Sequence, residues 1–466
     1  MKRNIVFIVL SFFYLQVFPG DFNNNRIQPY SENPYYWQYN GRPVFLIGGS
    51  SQDNLFQIEN LEEELDLIQS VGGNYVRNTM SSRDAGNVAP FEKSDGLYDP
   101  DTFNEEYWKR LERFLELTAE RNIFVQIEIW AFHDFTGYWP ENSWNPSNNK
   151  LFTEYNTNLK TEAYGNNRTY VHNFFHSVPS LNNDVLLLSY QKRFVDKLLS
   201  YSLKYDHVLY CITNEIFSQY STDWGWYWAE YLKNKADESG VGIEVTEMYQ
   251  EVNLEHDQHK ASLDFSETFT FLDMSQNSFN CDQEHWDLLQ YVRHYIRESP
   301  RPINHTKTYG GQLYWTSGAN HGVERFWRNI LGGAASTRFH RAYGGGGIGI
   351  SERAQKNILS ASMLAKEYNF FSSIPDNNSD MLFEREPDEA YPAKNGDNDI
   401  VVYFPDGGQV ILNLTGLSPR YRLRWLNIES AEWIDSRERI IEGGCIFELA
   451  APFKGNWVAL LSCKEE

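Results

Sequence analysis

The chain is predicted to fold as a (β/α)8 barrel of the TIM type, class α/β, followed by a small antiparallel β-sandwich. Three observations carry that prediction. Strand-like and helix-like segments alternate through residues 44–368 with the regularity of βα units. One strand, Val208-Leu209-Tyr210-Cys211-Ile212-Thr213-Asn214-Glu215, is an apolar run that stops abruptly in an amide and a carboxylate, as a barrel strand does where its C-terminal tip floors a polar cavity. From about residue 375 the pattern changes to short alternating strands between turn signals, which reads as a sandwich of about 85 residues.

The first strand is expected over 44–48, followed by an amphipathic helix over 60–71 with Asn60 as its cap and Glu63 three residues on. The second strand is 74–78, with a helix over 104–121. The third is 123–130, and after it comes the largest insertion, 131–183, loop-like and rich in Asn and aromatics. Long loops in compact domains are usually functional or disordered, so Tyr138, Trp139, Trp144, Phe152, Tyr155, Tyr164, Phe174 and Phe175 are expected to shape a lid over the catalytic face. A long helix over 184–204 leads into the fourth strand, which ends at Glu215, and a helix over 224–239 follows it. Strands five to eight are expected at 243–248, 268–274, 302–309 and 335–341, with helices over 283–298, 322–332 and, capped by Ser351, to about residue 368. Eight such strands in about 330 residues is the number a barrel with insertions needs.

Residues 1–20 carry Lys2 and Arg3 and then an apolar run, the layout of a secretory signal peptide. The mature domains are then 21–374 and 375–466, in a protein expected to be secreted or periplasmic and to have no membrane span after processing. A net charge of −22 argues against nucleic acid and anionic membrane surfaces as partners, because their phosphates would be repelled. Four cysteines are too few for a disulfide scaffold. Cys211 sits in a strand and reads as a buried thiol, whereas Cys445 and Cys463 are candidates for a bridge in an oxidising compartment.

If the barrel forms, its strand tips converge on one cavity. Arg77 comes from strand two, Glu128 and His133 from strand three and its exit, Asn214 and Glu215 from four, Glu247 from five, Asp273 from six, Lys307 and Tyr309 from seven, and Arg338 and His340 from eight. A carboxylate beside an amide that can hold a sugar hydroxyl suits general-acid work on a glycosidic bond. Glu215 is therefore the candidate acid, and Arg77, His133, Asn214, Lys307, Tyr309, Arg338 and His340 are candidate substrate contacts. The His172/His176 and His256/His259 spacings lack the partners of a recognisable metal site. Gly344 to Gly347 lack the Gly-Lys-Ser/Thr ending of a phosphate loop and read as a flexible rim. No metal or cofactor is expected, and the oligomeric state is left open.

Thr213-Asn214-Glu215, with Asn74-Tyr75-Val76-Arg77, resembles the clan of barrel glycoside hydrolases that includes the family 5 cellulases. The resemblance implies that Asn214 is a substrate-binding amide and Glu215 the acid/base. Residues 33–37 and 41–49 are similar to the start of the apiosidase-like glycoside hydrolases, and 403–408 through 452–461 resemble the small collagen-binding-type sandwich that follows them. That label is inherited by similarity, and collagen binding is not inferred from it. In the clan a second Glu ends strand seven as nucleophile; here Lys307 stands where it would be expected. Three alternatives follow. Glu247 or Asp273, with Glu128 behind them, supplies the second carboxylate, inverting if about 6.5–9.5 Å from Glu215 and retaining at about 5–5.5 Å. Lys307 instead pairs with an acidic group on the sugar, or the barrel binds glycans without cleaving them. The expected partner is a carbohydrate, as substrate of a secreted O-glycosyl hydrolase or as ligand of a glycan-binding protein.

Overall fold

The computed structural model describes residues 25–466, except 163–170, 314–315, 343, 345, 378–379, 397, 418–419, 435–436 and 464–466. The segment expected to be a signal peptide and Tyr164 lie outside the described residues. A (β/α)8 barrel followed by a β-sandwich is what the chain forms. The barrel strands are β1 (Leu46–Gly49), β2 (Tyr75–Thr79), β3 (Phe124–Ala131), β4 (Val208–Asn214), β5 (Val245–Thr246), β6 (Leu272–Asp273), β7 (Ile303–Asn304) and β8 (Ser336–Phe339). They run parallel in the order β5-β4-β3-β2-β1-β8, with β6 and β7 paired beside them. The ring closes through backbone bonds from Ala335 to Ile303 (2.8 Å) and from Thr270 to Val245 (3.0 Å). Strands buried on both faces read as continuous apolar runs, and β3 and β4 are buried at every residue.

Around the ring lie α1 (Leu61–Ser70), α2 (Glu105–Glu120), α3 (Val185–Ser202), α4 (Asp223–Glu238), α5 (Asp257–Leu263), α6 (Asp282–Tyr295), α7 (Ala319–Leu331) and α8 (Glu352–Ala365). The short α5 has no counterpart in the sequence reading, because seven residues show less than two full helical periods. Ser351 caps α8 as expected, its hydroxyl accepting from the Ala354 amide. Asn60 does not cap α1: its backbone lies outside the extended region and its side chain takes no amide of the first turn.

The 131–183 insertion departs most from expectation. Trp139, Trp144, Phe152, Phe174 and Phe175 are buried in one cluster with Trp130 and Trp224, while Tyr138 and Tyr155 are exposed. Phe135 and Phe174 sit 4.0 Å apart between ring centroids, and Trp144 meets Phe174 edge-on at 5.3 Å. The loop carries its own core instead of an aromatic lid, because each ring gains more from being covered than from waiting for a ligand. His172 closes this core by accepting the Phe174 amide through Nδ1, and His256 does the same for Gln258 at the start of α5.

The sandwich consists of β9 (Ile374–Pro375), β10 (Leu382–Phe383), β11 (Tyr391–Lys394), β12 (Ile400–Phe404), β13 (Gln409–Asn413), β14 (Arg420–Asn427), β15 (Glu432–Trp433), β16 (Arg439–Glu442), β17 (Ile446–Ala450) and β18 (Trp457–Cys463). One sheet runs β9-β11-β12-β18-β14-β15 with β16 on β14, and the other runs β10-β13-β17. The larger sheet shares a core with α7 and α8: Trp327 stacks on Tyr403 at 6.1 Å, and Arg353 meets Glu429 at 2.6 Å. All four cysteines are free. Cys463 lies on β18 of the large sheet and Cys445 just before β17 of the small one, where its thiol faces the Glu442 carbonyl, and the two candidates are not bridged.

Candidate active site

Glu215 is the first residue past β4, and its backbone adopts a left-handed φ of 67°. For a residue with a long side chain this conformation is unfavourable and persists only where the surroundings enforce it. Here the Ile216 amide is tied to the Met248 carbonyl at 3.0 Å. The kink turns the carboxylate into a cavity of about 140 Å3 at the C-terminal end of the barrel, lined also by Asp53, Arg77, His133, Asn214, Lys307, Tyr309, His340 and Arg341.

The two oxygens of Glu215 are used unequally. Oε1 accepts from Lys307 Nζ, from Gln276 Nε2 at 2.9 Å and from the Tyr309 hydroxyl at 2.9 Å. Among the described residues, Oε2 has His133 Nε2 beside it, at 3.5 Å, on a side chain more than half exposed. Lys307 Nζ also donates to Asn214 Oδ1, so one buried ammonium fixes both residues of the strand tip. Burial would raise the Glu215 pKa, but the Lys307 charge together with His133 holds it well below the usual carboxylate range. The resting group is a carboxylate. Tyr309 is pushed the other way, by burial and by that same carboxylate, and stays a neutral phenol.

Asp53, in the loop after β1, is the second carboxylate of the cavity. Arg77 reaches its Oδ1 at 2.9 Å, Arg83 and Arg341 reach its Oδ2 at 3.1 and 2.8 Å, and His340 lies 3.8 Å away. Burial opposes ionisation, yet these cations keep its pKa well below normal. Arg77 extends the network to Glu128 at 2.7 Å. Tyr309 and His340 meet edge to face at 4.8 Å, joining the Asp53 and Glu215 halves of the site. Gly344 and Gly346 complete the rim, and Gly347 is required below it, since a Cβ there would sit 2.1 Å from the His340 carbonyl.

The structure brings Glu215, Asn214, Arg77, His133, Lys307, Tyr309 and His340 together. It does not bring Glu247, Asp273 or Arg338 to the cavity. Glu247 lies behind β4: its Oε1 accepts the Thr213 and Met248 amides at 2.8 and 3.2 Å, and its Oε2 faces α4 so closely that a Cβ on Gly225 would stand 2.8 Å away. Burial raises its pKa well above normal. Asp273 is inside the barrel, accepting from Gln126 at 2.6 Å, Thr306 at 2.9 Å and the Ser275 amide at 3.0 Å. Arg338 spans the interior from the Thr306 carbonyl, at 2.7 Å, to the Ser50 hydroxyl. Two causes separate them: Asp273 and Arg338 point into the barrel one layer below the cavity, on the same face as its lining, whereas Glu247, just past the end of β5, turns outward to the helix layer. Asp53 was missed because it lies past the end of β1, although strand-exit position, which singled out His133, applies equally there.

No protein-family model matches the chain, and no curated protein matches it in sequence. Solved structures do match it in fold. A glycoside hydrolase family 5 protein from Bacteroides vulgatus aligns with a TM-score of 0.61 over 94% of both chains at 13% identity. A second glycoside hydrolase aligns at 0.61 over 95% of this chain and 98% of its own, at 10% identity. A family 5 mannosidase from Rhizomucor miehei aligns at 0.52 and 12% identity over 74% of this chain and 98% of its own. At such identities the likeness establishes the fold alone.

Proposed function

We propose that the chain is an exported glycoside hydrolase whose barrel cleaves a glycosidic bond in a poly- or oligosaccharide at Glu215, while the sandwich braces α7 and α8. The observation that carries this reading is the state of Glu215: a strained, ionised carboxylate at the strand-four tip, with one oxygen held by three donors and the other facing the cavity. A carboxylate so placed takes a proton as general base at a bound sugar and acts as acid once it has that proton, and the fold shared with solved glycoside hydrolases supports sugar as the substrate class. The charged-then-apolar start of the sequence supports export.

A buried Lys307–Glu215 pair also favours a second reading, a barrel that binds glycans without cleaving them, because the pair already satisfies both charges. Turnover separates the two. Against a panel of plant, algal and host glycans, Glu215→Gln should lose reducing-end release by at least about 10²-fold and keep glycan affinity. Unchanged release from the variant ends the assignment of Glu215, and binding without release by the native chain selects the binding protein.

A further inference from the structure

Glu215 owes its place to a break in the barrel ladder. β4 and β5 run in step as far as Cys211 beside Thr246, and the two chains meet again at Ile216 beside Tyr249. Residues 212–215 intervene on one side and 247–248 on the other, so the β4 side carries two residues more. On its other edge β4 keeps step with β3, Thr213 beside Trp130 and Asn214 beside Ala131. The surplus is therefore taken up at the strand tip as a bulge, and a bulge beside a cavity re-aims the side chain it carries. That side chain is Glu215, at its left-handed φ of 67°.

Backbone that leaves a ladder inside the protein needs new partners for its amides. Thr213 is fully buried, and its amide is answered by a side chain, Glu247 Oε1 at 2.8 Å. The same oxygen accepts the Met248 amide at 3.2 Å. Met248 in turn gives its carbonyl to the Ile216 amide at 3.0 Å, and the Ile216 carbonyl takes the Gln250 amide at 2.9 Å. One carboxyl oxygen thus joins the two ends of the bulge, directly at Thr213 and through Met248 at Ile216. The clamp has little room to slide. Glu247 Oε2 backs onto α4, where a Cβ on Gly225 would stand 2.8 Å from it, and the Trp224 indole N–H fixes the Thr213 hydroxyl at 2.9 Å.

We propose that Glu247 is a positioning residue for Glu215: its Oε1 bridges the ends of the strand-four bulge and so sets the direction of the acid/base carboxylate without touching substrate. This rests on the hydrolase reading above. The clamp requires an acceptor at that point and not a negative charge, because both of its partners are neutral amide N–H groups. An amide side chain of the same shape meets that requirement, and a hydrocarbon does not.

The test compares the full native chain with Glu247→Gln, Glu247→Leu and Glu247→Asp. The aspartate draws the carboxyl back by one methylene and carries the comparison if the leucine variant does not fold. Reducing-end release is measured on galactomannan, xylan, pectin, agarose, carrageenan and mucin glycans, and hydrogen exchange is resolved to single amides by mass spectrometry. Glu247→Gln should match the native chain in both. In the leucine and aspartate variants kcat should fall about 10- to 10²-fold with KM little changed, as for a reacting group about 1 Å out of place. Exchange should quicken at residues 213–216 while β2 and β3 stay protected. Equal losses in the glutamine and leucine variants, a native kcat in both leucine and aspartate variants, or exchange quickened throughout the barrel overturns the positioning role and leaves the hydrolase reading standing. No release by the native chain from any of these glycans removes the hydrolase reading, and the role of Glu247 in turnover falls with it.

Discussion

Replacing Lys307 with Met removes the ammonium that touches Glu215 and keeps most of the apolar stem, so it isolates what the charge does. Burial drives the Glu215 pKa up, and Lys307 is the largest influence driving it down, far enough that the folded value lies well below normal. A depressed carboxylate stabilises the fold above its unfolded pKa of about 4.3 and loses that contribution as pH falls toward the folded value. Without Lys307 the largest downward pull is gone: the carboxyl, with 7% exposure, keeps only His133 and its Gln276 and Tyr309 donors against burial, and its pKa rises from the native position. The loss relative to the native chain is then fullest above about pH 4.3, where the native carboxylate contributes completely, and shrinks as pH falls toward the native folded value. Its size should be the roughly 3–5 kcal/mol expected for breaking a buried pair from one side. At about 2 °C per kcal/mol for a large domain, the midpoint of thermal unfolding should fall by about 6–10 °C near pH 7.5 and by clearly less near pH 4. Fluorescence-detected melts of both proteins at the two pH values decide it. An equal loss at both would mean that packing of the lysine stem, and not its charge, holds the strand tip, and the reasoning would fail.

Glu247→Gln should leave turnover within about twofold and stability within about 1 kcal/mol, since the carboxyl is outside the cavity, protonated by burial, and replaced by an isostere that still accepts the Thr213 amide; a steady-state assay with a loss beyond tenfold would return it to the chemistry. Trp139→Ala should cost about 3–5 kcal/mol, as for a core tryptophan, because its ring is fully buried and its indole N–H donates to the Lys160 carbonyl at 2.8 Å. Urea titration measures it, and a loss under about 1 kcal/mol would restore the insertion to a loosely held lid.

The ring of strands was legible because buried parallel strands leave near-continuous apolar runs, and β3 and β4 are the longest of them. Regions that keep only two residues of strand, such as β5 to β7, were still located, since their apolar segments are longer than their ladders. Side-chain direction was less legible. Glu215, Lys307 and Tyr309 were gathered correctly into one cavity because they lie at or beyond strand ends. Asp273 and Arg338 also face the barrel interior but one layer below the cavity, and Glu247, past the end of β5, turns toward α4; neither depth along the barrel nor the turn at so short a strand leaves a periodic signal. The insertion misled for a different reason: aromatic content does not say whether a ring will be covered by protein or by sugar, and here Trp139 packs on His172 and Trp144 on Phe174.

The energetics of the strand tip favour a functional origin for it. A buried ammonium and carboxylate must each give up hydration worth several kcal/mol, and apolar residues of the same volume commonly hold a fold as well or better. The left-handed backbone at Glu215 adds about 1–3 kcal/mol of strain. Neither cost is recovered by packing, for the side chains surround a cavity and leave Oε2 open to it. Elsewhere the same sequence follows ordinary rules, with apolar strands, a capped α8 and an aromatic core beneath the insertion. Local rules that fail together at one cavity mark a site whose costs a bound molecule, as in the function proposed above, would repay.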